Sequence, residues 1–206
     1  MKRLLICLLL VGVVGCGESE PNKEISDADK AEAEYNKGVD FADRGDLASA
    51  VAHYTEAIRI DPDYAAAYNN RGTAYLRLGQ ADKAIADYTE AIRIDPDYAG
   101  AYNNRGWLYL SVIGLYDCDK AIADYTEAIR INPNDAKAYN ERGIAYSGKD
   151  DDDKAIADYT EAIRINPDFS SAYHNRANVY GRLGNDVKAD ADYAKAKKLG
   201  YEPDDE

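Results

Sequence analysis

The chain is poor in the residues that most often perform catalysis or bind metal ions. Its 206 residues include two histidines, three cysteines and one tryptophan. The histidines, His53 and His174, lie far apart in the sequence, and neither a glycine-rich phosphate-binding loop nor a cysteine pair accompanies them. We therefore expect a protein that is not an enzyme and that needs neither a metal ion nor any other cofactor.

Positive charge is also scarce, and it is spread evenly along the chain. Asp and Glu outnumber Lys and Arg by 38 to 25, which gives a formal net charge of -13. The basic residues sit among acidic ones and form no stripe, so a polyanion would be repelled from the surface. We expect no binding to nucleic acid.

Long apolar runs are missing except at the N-terminus. Lys2 and Arg3 precede an apolar run at residues 4–14, which is too short for a membrane-spanning helix of about 20 apolar residues. Two cations, a short apolar run and then small residues are typical of an export signal. We predict a signal peptide at residues 1–15.

The end of this run resembles the lipobox of bacterial lipoproteins. The sequence Val13-Val14-Gly15-Cys16 has an aliphatic residue, a tolerant position, a small residue and then cysteine. The resemblance implies cleavage before Cys16 and lipidation of Cys16, so that acyl chains would hold the protein at a membrane. The alternative is that Cys16 is one more small residue near an ordinary cleavage site. Residues 16–30 would then be the lipidated cysteine and a flexible acidic linker.

This resemblance implies a lipid-anchored protein of the bacterial cell envelope. Gly17, rather than Asp, after the lipidated cysteine is compatible with delivery to the outer membrane. We expect the outer membrane, facing the periplasm, in a Gram-negative cell, and otherwise the outer face of the plasma membrane. With Cys7 in the signal peptide and Cys16 lipidated, Cys118 would have no partner for an intramolecular disulfide.

The rest of the chain is built from a repeated string. Tyrosines recur at intervals of 34, 37, 34 and 34 residues, at Tyr54, Tyr88, Tyr125, Tyr159 and Tyr193. Prolines follow at the same intervals, at Pro62, Pro96, Pro133 and Pro167. A period of 34 residues with this punctuation indicates stacked helical hairpins, because one hairpin cannot cover its own apolar faces.

The unit at residues 65–98 resembles a tetratricopeptide repeat. It has the family's aromatic, Gly, Tyr, Ala, aromatic, Ala and Pro at Tyr68, Gly72, Tyr75, Ala84, Tyr88, Ala91 and Pro96. The resemblance implies an all-α fold, a right-handed α-solenoid of about five helix-turn-helix hairpins. The predicted units are residues 31–64, 65–98, 99–135 with a three-residue insertion, 136–169, and a degenerate C-terminal cap at 170–203, followed by a tail at 204–206.

Ligands of this family are usually peptides in the concave groove, which the first helix of each hairpin lines. This resemblance implies a set of groove residues: Asn69, Asn103, Asn140, His174, Asn70, Asn104, Trp107 and Arg77. Asparagine amides both donate and accept, so such a row can pair with a peptide backbone. Glu141 interrupts the second asparagine series. In the alternative interpretation, one asparagine of each pair only satisfies backbone groups between neighbouring hairpins.

Two further features on the first helices have competing interpretations. Trp107 could anchor an apolar side chain of a ligand, but packing against the neighbouring first helix is the favoured interpretation. A second series comprises Arg71, Arg105, Arg142 and Arg176. We expect these arginines to pair with acidic residues of the scaffold rather than with a ligand, because they lie off the predicted groove face. The Lys and Asn pairs with which some family members bind a C-terminal carboxylate are not present here.

Two local features allow other functions. The insertion in the third unit contains Tyr116 and Cys118, where a thiol could react or link two chains, although a lone cysteine near an apolar bend is more often inert. Asp150–Asp153 could bind calcium, but a solvated turn and helix start is favoured. We predict a non-catalytic interaction scaffold that binds a protein or peptide. The alternatives are a self-assembling structural envelope protein, which would form a homo-oligomer, and a thiol- or metal-dependent enzyme.

Overall fold

The computed structural model describes residues 26–111 and 117–202, and within them the chain is entirely helical. The helices are α1 (Asp27–Asp43), α2 (Leu47–Ile60), α3 (Ala65–Arg77), α4 (Ala81–Ile94), α5 (Ala99–Ser111), α6 (Cys118–Ile131), α7 (Ala136–Ser147), α8 (Asp152–Ile165), α9 (Ser170–Arg182) and α10 (Asp186–Lys198). In these ranges no helix is both long and apolar enough to cross a membrane.

Consecutive helices form five antiparallel hairpins that stack in one direction. Each helix packs on its partner in the hairpin and on the adjacent helix of the next hairpin. The first helices, α1, α3, α5, α7 and α9, also contact one another in succession, whereas the second helices of the described hairpins do not. The first helices therefore line the inner face of the solenoid and the second helices its outer face. The predicted α-solenoid is confirmed.

In four of the hairpins the turn contains a residue in the left-handed backbone conformation. Gly45, Gly79 and Gly184 have φ angles of 82°, 73° and 70° just after a first helix. Glycine adopts this conformation without the steric penalty of a Cβ atom. In the fourth hairpin Asp150 takes the same conformation, with a φ of 57°, and aspartate tolerates it better than most residues.

The turn between hairpins is an Asx-Pro turn. Each second helix before it ends at isoleucine, followed by an Asp or Asn that accepts from the backbone N–H two residues later, at distances of 3.0–3.3 Å. The proline between them cannot continue the helix, because it has no N–H to donate. The string "IDPDY" or "INPND" thus directs the chain into the next first helix.

Each of the first four hairpins is closed by a tyrosine that packs on a glycine. Tyr54, Tyr88, Tyr125 and Tyr159 are at most 2% exposed, and a Cβ atom on the facing glycine would lie 2.6–3.2 Å from their rings. Only a residue without a side chain allows this approach. The last hairpin has Ala177 at the glycine position, and its tyrosine, Tyr193, stays 37% exposed because no later hairpin covers it.

A second repeated device joins neighbouring hairpins. The guanidinium of an arginine on each inner helix from α3 onward makes a bidentate ion pair with an aspartate on the second helix of its own hairpin, and it also donates to a threonine of the preceding hairpin. We call these sets arginine clamps. The four clamps are Thr55–Arg71–Asp87, Thr89–Arg105–Asp124, Thr126–Arg142–Asp158 and Thr160–Arg176–Asp192.

The clamps confirm that these arginines serve the scaffold. All donor–acceptor distances in them fall between 2.7 and 3.1 Å, and the arginine side chains are only 15–17% exposed. The paired aspartate raises the pKa of each guanidinium, for example that of Arg71 beside Asp87. A charge that is buried, paired and fully hydrogen-bonded is costly to disturb.

The observed boundaries differ from the predicted ones at one place. Helix α1 begins at Asp27, earlier than the predicted start of the first unit at Ala31, because Ser26 and Asp29 form a capping box. Residues 26–30 therefore belong to the solenoid and not to the linker. The signal peptide, Cys16, most of the linker, Tyr116 in the insertion and the tail at residues 203–206 lie outside the described residues.

Candidate functional site

The inner face carries a row of side-chain amides that connect one hairpin to the next. An asparagine on one inner helix donates its Nδ2 to the side-chain oxygen of a residue on the preceding inner helix. These rungs, which we call the amide ladder, are Asn70 to Tyr35 at 2.9 Å, Asn104 to Asn69 at 3.0 Å and Asn175 to Asn140 at 3.0 Å. The ladder therefore runs along the predicted groove face.

In the N-terminal half the rungs form one continuous chain of hydrogen bonds. Asn104 donates to Asn69, Asn69 donates to Asn70 over 3.1 Å, and Asn70 donates to the hydroxyl of Tyr35. The amides of Asn69 and Asn70 both donate and accept, so the side chains polarise one another in the same direction. The chain of bonds links three hairpins.

The ladder is interrupted between the third and fourth hairpins. Glu141 occupies the position on α7 from which an asparagine would donate to Asn103 on α5. An ionised carboxylate cannot donate a hydrogen bond. The Oδ1 atom of Asn103 is buried and has no hydrogen-bond partner, and its Nδ2 donates instead to Asp135 at 2.9 Å. A buried acceptor without a donor costs roughly 1–3 kcal/mol.

A second unpaired group lies beside the first. In the second hairpin the tyrosine hydroxyl of Tyr88 bonds to the hydroxyl of Thr73 at 3.2 Å. In the third hairpin the position of Thr73 is occupied by Trp107, and the hydroxyl of Tyr125 is buried with no partner. The Asn103 and Tyr125 atoms are the two buried side-chain polar atoms that lack a partner in the described ranges.

Both unpaired atoms belong to residues that line one pocket on the inner face. The pocket has a volume of about 250 Å³ and is lined by Leu76, Asn103, Asn104, Trp107, Tyr125, Lys137 and Glu141. The residues come from α3, α5, α6 and α7. The Trp107 side chain is 41% exposed, although an indole of this size normally packs away from water. A partly open apolar cavity with a few convergent polar groups is typical of a binding site.

The charge in the pocket is carried by Glu141 and Lys137. Burial raises the pKa of Glu141, because the carboxylate is desolvated, while the Asn140 amide and the charge of Lys137 act in the opposite direction. The Asn140 contact is long, at 3.4 Å. Among the described residues no cationic nitrogen lies within 4.0 Å of the Glu141 carboxylate in an ion pair. The Glu141 carboxylate is therefore desolvated, and hydrogen bonds and nearby cations offset little of the cost of its charge.

The other predicted groove residues differ in accessibility. Asn69 and Asn140 are 8% and 2% exposed, and their amides are occupied by rungs of the ladder. Their side chains thus connect hairpins. The alternative interpretation predicted such a role for one asparagine of each pair, with backbone groups as the partners, whereas the observed partners are side chains. Asn104 and Asn103 are half-buried and line the pocket. Arg77 is exposed and donates to the carbonyl of Ala42 on the preceding inner helix at 3.3 Å.

His174, at the last inner position of the series, is covered by the end of the chain itself. Its ring stacks on Tyr201, with the ring centroids 4.1 Å apart, and the Tyr193 ring centroid lies 5.5 Å from that of His174. Burial lowers the pKa of His174. The C-terminal segment thus closes the inner face at this end.

The two features that allowed enzymatic or metal-dependent functions have structural roles in the described residues. The thiol of Cys118 is buried at the start of α6 and packs in the core of the third hairpin. Asp151 is the N-cap of α8, Asp152 pairs with Arg182, and Asp151 pairs with Lys154. No group of three or more potential metal ligands occurs in residues 26–111 and 117–202.

Sequence reasoning identified Trp107, Asn103 and Asn104 but missed Tyr125, Lys137 and the importance of Glu141. The signal was present in part, since Glu141 breaks an asparagine series and Trp107 stands where the second unit has Thr73. Without the structure, neither change could be connected to an unpaired atom on a neighbouring helix.

Three family models match the chain. One described as "TPR repeat" matches residues 38–79 and 117–150, and two described as "Tetratricopeptide repeat" match residues 65–98 and 136–169, and residues 87–122 and 158–191. Together the matches extend over residues 38–191 without a gap. No curated protein sequence matches the chain significantly.

Solved structures with the same architecture confirm the fold. A crystal structure of MamA is 26% identical with a TM-score of 0.74, and the match covers 82% of this chain and 91% of that chain. MamA from Desulfovibrio magneticus RS-1 is 21% identical with a TM-score of 0.75, over 83% and 95% of the two chains. YrrB, described as a TPR protein with an unusual peptide-binding site, is 21% identical with a TM-score of 0.71, over 82% and 86%. The chain therefore belongs to the tetratricopeptide-repeat family.

Proposed function

We propose that this protein is a non-catalytic interaction scaffold that holds a segment of a partner protein across its inner face, at the pocket around Trp107. The observation that carries this proposal is the coincidence of an exposed tryptophan with two buried, unpaired polar atoms in one cavity. A ligand that supplied the missing hydrogen bonds would recover the free energy that these atoms lose in the free protein. The indole would add an apolar contact of the kind that dominates protein interfaces.

The architecture supports an extended ligand. The inner helices follow one another along the solenoid, so a peptide that lies across them can contact several hairpins. YrrB, which shares this fold, is a peptide-binding protein by its description. The pocket is lined by residues of the second, third and fourth hairpins, in the middle of the stack.

The test is site-specific photo-crosslinking in cells. A photoreactive residue at Ser111, one helical turn beyond Trp107 on the inner helix α5, should capture a partner, whereas the same residue at the exposed Ala123 on α6 should not. Trp107→Ala should abolish capture from Ser111 by removing the anchor, with the helical content unchanged. Capture from Ala123 alone would show that the inner face is not the binding surface, and full capture by the Trp107→Ala variant would show that Trp107 is not the anchor.

We also propose that the scaffold is held at a bacterial membrane by lipid on Cys16, after removal of residues 1–15. The support is the sequence pattern of two cations, a short apolar run and Val13-Val14-Gly15-Cys16. Each buried methylene of an acyl chain contributes about 0.8 kcal/mol, so several chains on one residue give stable attachment. The membrane would be the outer membrane in a Gram-negative cell and the plasma membrane otherwise.

Cell fractionation tests the lipid anchor. Cys16→Ala should move the protein from the membrane fraction to the soluble fraction, while the matched variant Cys118→Ala should remain with the membrane, since that thiol is buried in the folded part. A Cys16→Ala protein that stays on membranes in high salt would contradict the lipobox interpretation.

A further inference from the structure

We propose that the pocket around Trp107 receives a cationic side chain, the ammonium of a lysine or the guanidinium of an arginine, from the partner segment. Its N–H groups would donate to Asn103 Oδ1 and to the carboxylate of Glu141, and its aliphatic stem would lie against Trp107 and Leu76. This inference rests on the proposed function, because it names the chemistry of the ligand for that same site.

The missing rung determines what the ligand must supply. At three positions along the inner face an asparagine donates to the oxygen of the preceding helix at 2.9–3.0 Å. At the fourth position the acceptor Asn103 Oδ1 is present and buried, but the residue that stands in the place of the donor is Glu141. Asn103 Oδ1 has no donor and the Glu141 carboxylate has only the long contact from Asn140, so a ligand with several N–H donors completes the site.

The charge of Glu141 decides between a neutral donor and a cation. A primary amide would satisfy Asn103 but would leave the desolvated carboxylate without a counter-charge. An ammonium or guanidinium satisfies both, and charge-assisted hydrogen bonds are about twice as strong as neutral ones. Lys137, the other charged residue that lines the pocket, is exposed and forms no ion pair with Glu141 among the described contacts.

The surroundings of Glu141 bear on how binding depends on pH. It lines the pocket with Asn103, Asn104 and Trp107 of α5 and Tyr125 of α6. On α8, burial and then the charge of Glu141 raise the pKa of Tyr159. None of these side chains carries a charge at neutral pH. Lys137 on its own helix is the nearby cation. Asp135, at the N-cap of α7, is engaged by the Nδ2 of Asn103.

Protonation of Glu141 would compete with the ligand. A neutral carboxyl group has an O–H that can donate to Asn103 Oδ1 and so replace the missing rung. Burial already raises the pKa of Glu141 in the free protein, and a bound cation would lower it. Binding should therefore weaken as the pH falls through the pKa of the free protein.

The aromatic side of the pocket suits a cation as well. Arginine and lysine groups lie over tyrosine rings elsewhere in this chain, such as Arg71 over Tyr68 at 5.4 Å and Lys83 over Tyr75 at 5.1 Å. Tryptophan attracts cations more strongly than tyrosine does. Trp107, at 41% exposure, offers part of its ring surface to a ligand.

The test uses four small probes: the N-acetyl amides of arginine, lysine, glutamine and norleucine. Trp107 is the only tryptophan, so its fluorescence reports directly on occupancy of the pocket. The arginine and lysine probes should half-saturate the signal at concentrations at least tenfold below those of norleucine and glutamine. Equal binding of norleucine would overturn the proposal in favour of an apolar ligand, and equal binding of glutamine would overturn it in favour of a neutral donor.

The variant Glu141→Asn supplies the matched control, because it restores the residue type of the other three rungs and should not impair folding. It should weaken the arginine probe at least tenfold and remove the pH dependence, whereas Glu161→Asn, at an ion pair on α8 outside the pocket, should bind the probe as the native chain does. Unchanged binding by Glu141→Asn would overturn the proposal. Failure of the proposed function would give a different result from failure of this inference. If the proposed function is wrong, Trp107→Ala leaves partner capture in cells intact, whatever the selectivity of the pocket among the four probes.

Discussion

The arginine clamps and the amide ladder both connect neighbouring hairpins, yet one is uniform and the other is not. All four junctions between hairpins have a clamp with the same residue types and nearly the same distances. The ladder has three rungs and a break at Glu141. The buried junctions between hairpins are therefore alike along the stack, whereas the inner face varies.

The physical reason is that a substitution costs more free energy in a clamp than in the ladder. In a clamp, the loss of one partner leaves a buried charge without its counter-charge, which costs several kcal/mol. In the ladder, the loss of a donor leaves a neutral oxygen unpaired, at roughly 1–3 kcal/mol. A fold of marginal stability can bear the second loss at one position. A cost of this kind, found beside an open pocket, is typical of a site kept for binding rather than for stability.

The largest effect should come from breaking a clamp. Asp158→Ala leaves Arg142 buried and unpaired, so we expect the free energy of unfolding to fall by about 3–5 kcal/mol. Urea denaturation followed by circular dichroism measures it. The matched control is Glu161→Ala on the same helix, which breaks an exposed pair with Arg164 and should change stability little. Equal effects of the two substitutions would show that the clamps are no stronger than surface pairs.

A smaller effect of opposite sign should come from mending the ladder. Glu141→Asn gives Asn103 Oδ1 a donor and removes a desolvated carboxylate, so we expect the protein to become more stable by about 1 kcal/mol at neutral pH. Thermal unfolding measures the difference. Asn104→Glu, which introduces the same break at an intact rung, should destabilise. A Glu141→Asn protein no more stable than the native chain would show that the break costs nothing.

The pH dependence of this gain follows from the raised pKa of Glu141. The folded state binds the proton more tightly than the unfolded state does, so the native chain loses stability as the pH rises from the ordinary glutamate value through the raised one. The advantage of Glu141→Asn should therefore be greatest above the raised pKa and should shrink as the pH falls below it. An advantage that is constant with pH would contradict this origin.

The smallest effect should appear at the C-terminal end of the inner face, where His174 replaces asparagine. Burial lowers the pKa of His174, and Tyr201 covers the ring. Tyr201→Ala should expose the imidazole and raise its pKa toward the ordinary value, as followed by NMR of the ring protons. Because the folded state disfavours the imidazolium, the native chain loses stability as the pH falls through the ordinary histidine range. The Tyr201→Ala variant should lose less stability over the same range. Lys198→Ala is a control on the same helix end. An unchanged His174 pKa in Tyr201→Ala would contradict the shielding.

Much of the architecture could be predicted from the sequence because its signals are local or strictly periodic. Glycine at the hairpin turns, proline between hairpins and the tyrosine interval each act within one hairpin, so one copy of the string predicts the others. The pairing of the arginines with acidic residues was also predictable from charge. The start of α1 was missed because a capping box, Ser26 with Asp29, extended a helix into residues that look like linker.

The candidate site was only partly predictable. Trp107 and the asparagine series can be recognised in the sequence, but the sequence does not show which asparagines of the series are accessible to a ligand. Asn69 and Asn140 are buried while Asn103 lines the pocket, although all three occupy the same repeat position. Their difference in exposure comes from the neighbouring helices and not from the helices that carry these asparagines.

The sequence by itself determined the number, order and closure of the hairpins, since each hairpin is specified by residues within its own unit. Only the tertiary structure decided where the inner face is open and what it lacks. A rung joins residues 35 positions apart, and whether its acceptor finds a donor depends on the side chain that the next hairpin brings opposite it. Glu141 and Trp107 are ordinary residues in their own helices, and they make a binding pocket only because stacking places them beside Asn103 and Tyr125.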